Sequence, residues 1–111
     1  MALMGAGEGL SIRVTEDDGI FTIALGGYLD IATAPRFREK LLDLFVRGVR
    51  LVVIDLGDLD YLDSVGLGIL VGGLKRYREV AGDLHLRRPR GQVDRVLQIT
   101  GVAALFKVET E

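Results

Sequence analysis

The sequence predicts an α/β domain: a mixed sheet of four to five strands with helices packed on it, in the chain order β-β-α-β-α-β-α-β. Three observations carry this. Residues 10–25 alternate apolar and polar side chains on either side of an Asp-Gly turn, the pattern of an antiparallel hairpin. Residues 51–56 (LVVIDL) are almost uninterruptedly apolar, as in a central strand covered on both faces. Beyond the hairpin, stretches with apolar residues three and four apart alternate with short apolar runs, which implies right-handed parallel crossovers.

In chain order, residues 1–9 are small and glycine-rich and read as a flexible start, leaving 10–111 as one domain. Leu10, Ile12 and Val14 form the inner face of a first strand, and residues 16–19 turn the chain, since Asp-Gly accepts positive φ cheaply. Phe21, Ile23 and Leu25 line a second strand that Gly26-Gly27 ends. Thr33 precedes Ala34-Pro35 as the N-cap of a helix whose apolar face is Ala34, Phe37, Leu41 and Leu44/Phe45, closed by Gly48. After the central strand, residues 59–63 connect to a helix over 66–81, with Leu67, Leu70, Leu74, Tyr77 and Ala81 on one side and Gly82 as its C′ residue. Leu84 and Leu86 face inward from a strand that Pro89 breaks. Val93, Val96, Leu97 and Thr100 mark a third helix, stopped by Gly101, and residues 105–108 a last short strand.

Composition narrows the chemistry. The chain has 111 residues, 49% hydrophobic and 27% charged, enough for one modest core. It has no cysteine and one histidine, His85, so thiolate chemistry and histidine-rich metal sites are excluded. A net charge of −2 gives no global positive field for nucleic acid or anionic lipid. No apolar run reaches the ~20 residues of a membrane span, and no signal peptide is recognisable, so a cytoplasmic protein is expected.

The most unusual stretch is the junction at Asp63-Ser64, where a buried strand passes through a short loop into an uncharged, glycine-rich helix. A serine there is exposed and suits a phosphoacceptor, whose phosphate adds about −1.5 to −2 charges. Helix-end N–H groups are expected to take part of that charge while Asp63 repels it. The plainer reading of Ser64 alone is an N-cap. Gly66 and Gly68 leave room for an approaching group, and Gly72-Gly73 point to a packing or contact reason in mid-helix.

Rival chemistries fit less well. Gly66-x-Gly68-x-x-x-Gly72 departs from the G-x-G-x-x-G spacing of a dinucleotide loop and begins too late after the strand. Asp55, Asp58, Asp60 and Asp63 suggest a Mg²⁺ site only on paper, because acids in a solvated loop are mostly turn formers, and Asp55 suits accepting loop N–H bonds. A serine hydrolase needs a base, and His85 lies on another strand. Arg87, Arg88, Arg90 and Arg95 read as a solvated surface. The expectation is therefore a non-enzymatic protein without metal or cofactor.

The residues LDSVGLGIL resemble the D-S-[ST]-G-L-G motif of STAS domains, specifically of bacterial anti-sigma factor antagonists. The resemblance runs over nearly the whole chain. Gly27-Tyr28-Leu29-Asp30 is similar to the family's G-E-L-D, residues 51–56 to its central strand, and residues 97–102 (LQITGV) to its L-x-x-[ST]-G-[LV]. It implies an antagonist that binds an anti-sigma factor serine kinase when unphosphorylated, frees a sigma factor, and is switched off by phosphorylation of Ser64. A metal-dependent serine phosphatase acting on phospho-Ser64 resets it. Asp30, Asp63, Val65, Gly66 and Leu67 are the implied partner-binding residues. The alternative is a STAS scaffold or regulatory subunit of a signalling assembly or transporter. Three departures bear on this. Val65 stands where the family often has a hydroxyl, leaving Ser64 the only one in the motif. Tyr28 replaces an acid. Arg90-Gly91 stand where the last helix often has Ser-Pro. The family often continues into a C-terminal helix beyond the position of Glu111; without it, apolar sheet surface would be exposed and a homodimer favoured.

Overall fold

The computed structural model describes residues 9–111. The expected flexible start lies outside the described residues except for Gly9, whose carbonyl accepts the Tyr28 N–H at 2.8 Å. The elements are β1 (Leu10–Asp17), β2 (Ile20–Leu29), α1 (Ala34–Val46), β3 (Leu51–Leu62), α2 (Ser64–Arg78), β4 (Asp83–Arg87), α3 (Gly91–Ile99), a 3₁₀ turn (Val102–Leu105) and β5 (Lys107–Glu109). Element order and fold class are as the sequence predicts. The five strands lie side by side in chain order, β1 antiparallel to β2 and every later pair parallel.

The pleat divides the sheet into two unlike faces. Register places Leu10, Ile23, Leu25, Val52, Ile54, Leu84 and Leu86 on one face, where they join Phe37, Leu41, Leu44, Leu70, Leu74, Tyr77, Val93 and Leu97 from the helices in one core. Burial of these side chains supplies the driving force for folding. The other face carries Arg13, Thr22, Asp55, His85, Arg87 and Glu109. Apolar exposure on this face is uneven: Val53 at its centre is 3% exposed, whereas Ile20 at the hairpin end is 41% exposed.

Two strands run further than the sequence suggests. β2 passes through Gly26-Gly27, and β3 continues to Leu62 instead of ending near Leu56. The glycines do not end the strand. They bend it, with register shifts on either side. At Gly27, with φ of +88°, a Cβ would stand 2.2 Å from the Gly9 carbonyl oxygen, so only glycine lets the chain start pack there. β4 reaches only as far as Asp55, so the far edge of β3 lacks a strand neighbour. The Gln92 side chain replaces it, accepting from Leu62 N–H at 2.9 Å and donating to Leu62 C=O at 3.0 Å. On α2, the left-handed C-terminal residue is Ala81 (φ +62°), not Gly82, and Ala81 is exposed rather than on the apolar side. Gly82 is required for another reason: its Cβ would stand 2.4 Å from the Arg50 carbonyl oxygen.

Candidate functional site

The parallel strands β2 and β3 end together, at Leu29 paired with Leu62, and each delivers the chain to a helix N-terminus. The two exits are tied by one residue. Asp63 N–H donates to the Leu29 carbonyl at 3.1 Å, and Asp63 Oδ2 accepts the Ile31 N–H at 3.1 Å. Its other oxygen, Oδ1, accepts the N–H groups of Val65 at 2.9 Å and Gly66 at 3.0 Å. One carboxylate therefore caps α2 and fastens the loop before α1.

That loop is also braced from within. Asp30 Oδ1 accepts from Ala32 N–H at 3.0 Å and Thr33 N–H at 3.1 Å. Thr33 occupies the N-cap position of α1 as expected, but its hydroxyl does not cap the helix. It accepts from Asp30 N–H at 2.9 Å and donates to Tyr28 C=O at 2.8 Å, closing the loop. Asp30 and Asp63, both expected to contact a partner, are held in the bracing of these two strand-to-helix loops.

Ser64 is the first residue of α2 and is exposed. Because Asp63 is the cap, the plainer reading of Ser64 as an N-cap does not hold, and its hydroxyl has no hydrogen-bond partner among the described residues. A second expectation is narrowed. The N–H groups of Val65, Gly66 and Leu67 all donate to Asp63, to its carboxylate or its carbonyl, which leaves, of the first turn, only the N–H of Ser64 itself for a phosphate on Ser64. A phosphoryl group there would face the Asp63 carboxylate with little relief. At a separation of about 6 Å, a dianion and a carboxylate repel by roughly 1.4 kcal/mol in water, and by several times that beneath a bound partner.

The expected contact residues divide. Val65 is exposed, Leu67 half-buried. Gly66 is buried and faces the sheet: a Cβ would stand 2.7 Å from Leu29 Cγ and 2.9 Å from Leu62 Cδ1. It makes no room for an incoming group; it lets α2 lie close on the strand ends. Gly68 does point outward, with nothing within 4 Å of a Cβ. Sequence reasoning missed two surface residues. Ile31 is 72% exposed beside Asp63, and Tyr61 pairs with Tyr28 at 6.0 Å between ring centroids, both rings exposed. An isolated isoleucine in a polar loop was the available signal for the first. The second depends on the extended β2–β3 register.

Residues weighed for other chemistry lie elsewhere. Asp55 accepts from Gly57 N–H at 2.9 Å and from Arg88 at 2.8 Å. Its partial burial works to raise the carboxyl, but the Arg88 and Gly57 hydrogen bonds and the charges of Arg88 and Arg87 outweigh that and hold it below the ordinary carboxylate value. Asp60 pairs with Arg90 at 3.1 Å, and Arg87 with Glu109 at 3.5 Å, so most of the expected basic patch is neutralised. Among the described residues no three His, Asp or Glu side chains stand together as metal ligands. His85, between Asp83 and Glu109, pairs with Val53 at the opposite end of β3 from Ser64. No helix among the described residues is long and apolar enough to cross a membrane.

Comparison with known proteins agrees with this fold. A sequence family described as "STAS domain" matches residues 11–111. The chain is 32% identical over 99 residues to an anti-sigma-B factor antagonist of Staphylococcus aureus, covering 89% of this chain and 92% of the relative. Its fold is also that of SpoIIAA. The structure of the anti-sigma factor antagonist SpoIIAA in its unphosphorylated form superposes with a TM-score of 0.79 at 24% identity, covering 91% of this chain and 90% of the other. The phosphorylated form of SpoIIAA, the Bacillus cell fate determinant, gives 0.72 at 23% identity, with 91% and 93% covered.

Proposed function

Because this chain belongs to the STAS domain family, we propose that it is an anti-sigma factor antagonist whose binding to an anti-sigma factor serine kinase is controlled by phosphorylation of Ser64. One observation carries the reading: an exposed serine hydroxyl, free of hydrogen bonds among the described residues, stands on a helix start that a neighbouring carboxylate holds rigid. The relatives named anti-sigma-B factor antagonists, and the existence of SpoIIAA in both phosphorylated and unphosphorylated forms, support the same reading.

The chemistry follows from the site. Unmodified, the surface offers Ile31 and Val65 as apolar contacts around a neutral hydroxyl. Docking there against the kinase releases the sigma factor. Ser64 Oγ then attacks the γ-phosphorus of ATP bound by the kinase. The Oγ–P bond forms, the bond to ADP breaks, and the hydroxyl proton passes to a base of the kinase, since both Asp63 oxygens already accept N–H donors. The product is a dianion beside Asp63 and an apolar rim, which cannot be buried again without a large desolvation cost, so the complex opens. Hydrolysis by a metal-dependent serine phosphatase restores the hydroxyl. The chain itself supplies no catalytic group and needs no cofactor, and the setting is cytoplasmic.

A second reading, a regulatory or scaffold subunit of a signalling assembly or transporter, is favoured by the Tyr28–Tyr61 pair where a family member would present an acid. Calorimetric titration with the kinase decides. Ser64→Ala should bind like the parent chain, and Ser64→Glu at least tenfold more weakly. Equal affinity of the two variants removes the switch, and absence of binding by the parent chain favours the second reading.

A further inference from the structure

Helices α1 and α2 leave a groove between them on the side away from the sheet. It begins beside Ile31 and Val65, next to Ser64, and deepens along α2 into a cavity of about 130 Å³ between Leu42, Ile69 and Gly72. The deep end matches one large side chain, and the stretch beside Ile31 and Val65 adds about 590 Å³ as an open trough rather than an enclosed small-molecule cavity. Along α2 the groove runs from Val65 to Arg76, about 16 Å or three helical turns.

Charge says what fits. Arg38 and Arg76 flank the deep end, both exposed, and neither has an ion pair among the described residues. Arg76 lies over the Phe45 ring at 6.0 Å, which holds its guanidinium near the groove. The one acid of the groove, Glu39, lines the shallow end. A positive apolar slot on a chain of net charge −2 is a local feature. The floor is also open: at Gly72 a Cβ would meet nothing within 4 Å, so internal packing does not require that glycine in mid-helix.

We propose that this groove docks an acidic amphipathic helix of a protein partner, one large apolar side chain entering over Gly72 while carboxylates on its flanking turns meet Arg38 and Arg76. Assigning that helix to the kinase rests on the function proposed above. The chemistry of the groove does not.

Two arms test it. In the first, the ¹⁵N-labelled chain is titrated with a synthetic helical peptide bearing a leucine ridge flanked by glutamates, and with its counterpart carrying lysines instead. The acidic peptide should move the amide signals of Gly68, Ile69 and Gly72, the lysine peptide should not, and Arg38→Glu with Arg76→Glu should weaken the acidic peptide at least tenfold. Identical responses to the two peptides, or no shift at these amides, overturns the proposal. In the second arm, Gly72→Leu fills the cavity at a position open to solvent, and kinase affinity should fall at least tenfold. A kinase that binds Gly72→Leu as tightly as the parent chain overturns the kinase assignment. A kinase that ignores the parent chain, while the acidic peptide still maps to the groove, sinks the functional reading and supports the groove.

Discussion

Two glycines about 9 Å apart along one helix axis, at about 1.5 Å of rise per residue, should respond in opposite directions to the same substitution. Alanine in place of glycine inside a helix stabilises by up to about 1 kcal/mol. At Gly72 nothing opposes that gain, because a Cβ meets no atom within 4 Å. Gly72→Ala should therefore raise stability by about 1 kcal/mol, which for a chain of this size is roughly 4 °C in Tm. At Gly66 the Cβ would stand 2.7 Å from Leu29 Cγ, 2.9 Å from Leu62 Cδ1 and 3.0 Å from the Leu29 carbonyl oxygen. The carbonyl belongs to a strand and cannot rotate away. Overpacking costs about 1–3 kcal/mol; three contacts this close, one of them backbone, place Gly66 in the upper half of that range, so after the helix gain of about 1 kcal/mol Gly66→Ala should lose a net of about 1–2 kcal/mol. Urea denaturation of both variants with unchanged slope measures the difference, expected near 2–3 kcal/mol. Equal stabilities, within about 0.5 kcal/mol, would refute the claim that Gly66 is present to seat α2 on the strand ends.

Asp63→Ala removes the cap and the tie to Ile31 together; it should cost about 1–2 kcal/mol and speed hydrogen exchange at Ile31, Val65 and Gly66, whereas unchanged exchange would contradict the bracing role. Asp55 has a lowered carboxyl pKa in the fold, so its contribution is complete above the ordinary carboxylate range and is lost as pH falls through the lower folded value. The stability gap between the parent chain and Asp55→Asn should then shrink below about pH 4, and a gap independent of pH would contradict the Arg88 pairing. The Tyr77 phenol is pushed up to about 12 by burial, against a small opposing effect of Arg50. Its neutral form is favoured by the fold, so stability it contributes is intact below about pH 10 and disappears as pH rises toward 12. Tyr77→Phe, which also loses the hydrogen bond to Leu41 C=O at 2.9 Å, should flatten that alkaline decline, as fluorescence-monitored unfolding would show.

Much of the fold was legible because local signals agreed. The Asp-Gly turn, the helical spacing of Phe37, Leu41 and Leu44, and the inward pair Leu84 and Leu86 each name one element and one face. Strand ends were not legible. Gly26-Gly27 and the acids of residues 57–60 read as breaks, yet β2 and β3 continue through them, because each supplies the other's ladder and Gln92 serves the vacant edge at Leu62. No local propensity encodes a partner thirty residues away. At the site, the Asp63-Ser64 junction was visible as a motif, but the division of labour was not. Which of two adjacent residues caps a helix depends on the backbone entering it, and here the aspartate caps and the serine is left free. Likewise Gly66 and Gly68 look equivalent in sequence, and only the crossing of α2 over Leu29 and Leu62 makes one a packing residue and the other surface.

The most direct measurement is intact mass and phosphopeptide mapping of the chain recovered from its own cells in two pools, one bound to the kinase and one free. The account predicts a single phosphate on Ser64 in the free pool, none in the bound pool, and none in Ser64→Ala. A bound pool that carries the phosphate, or a Ser64 left unmodified in every growth condition, would contradict it.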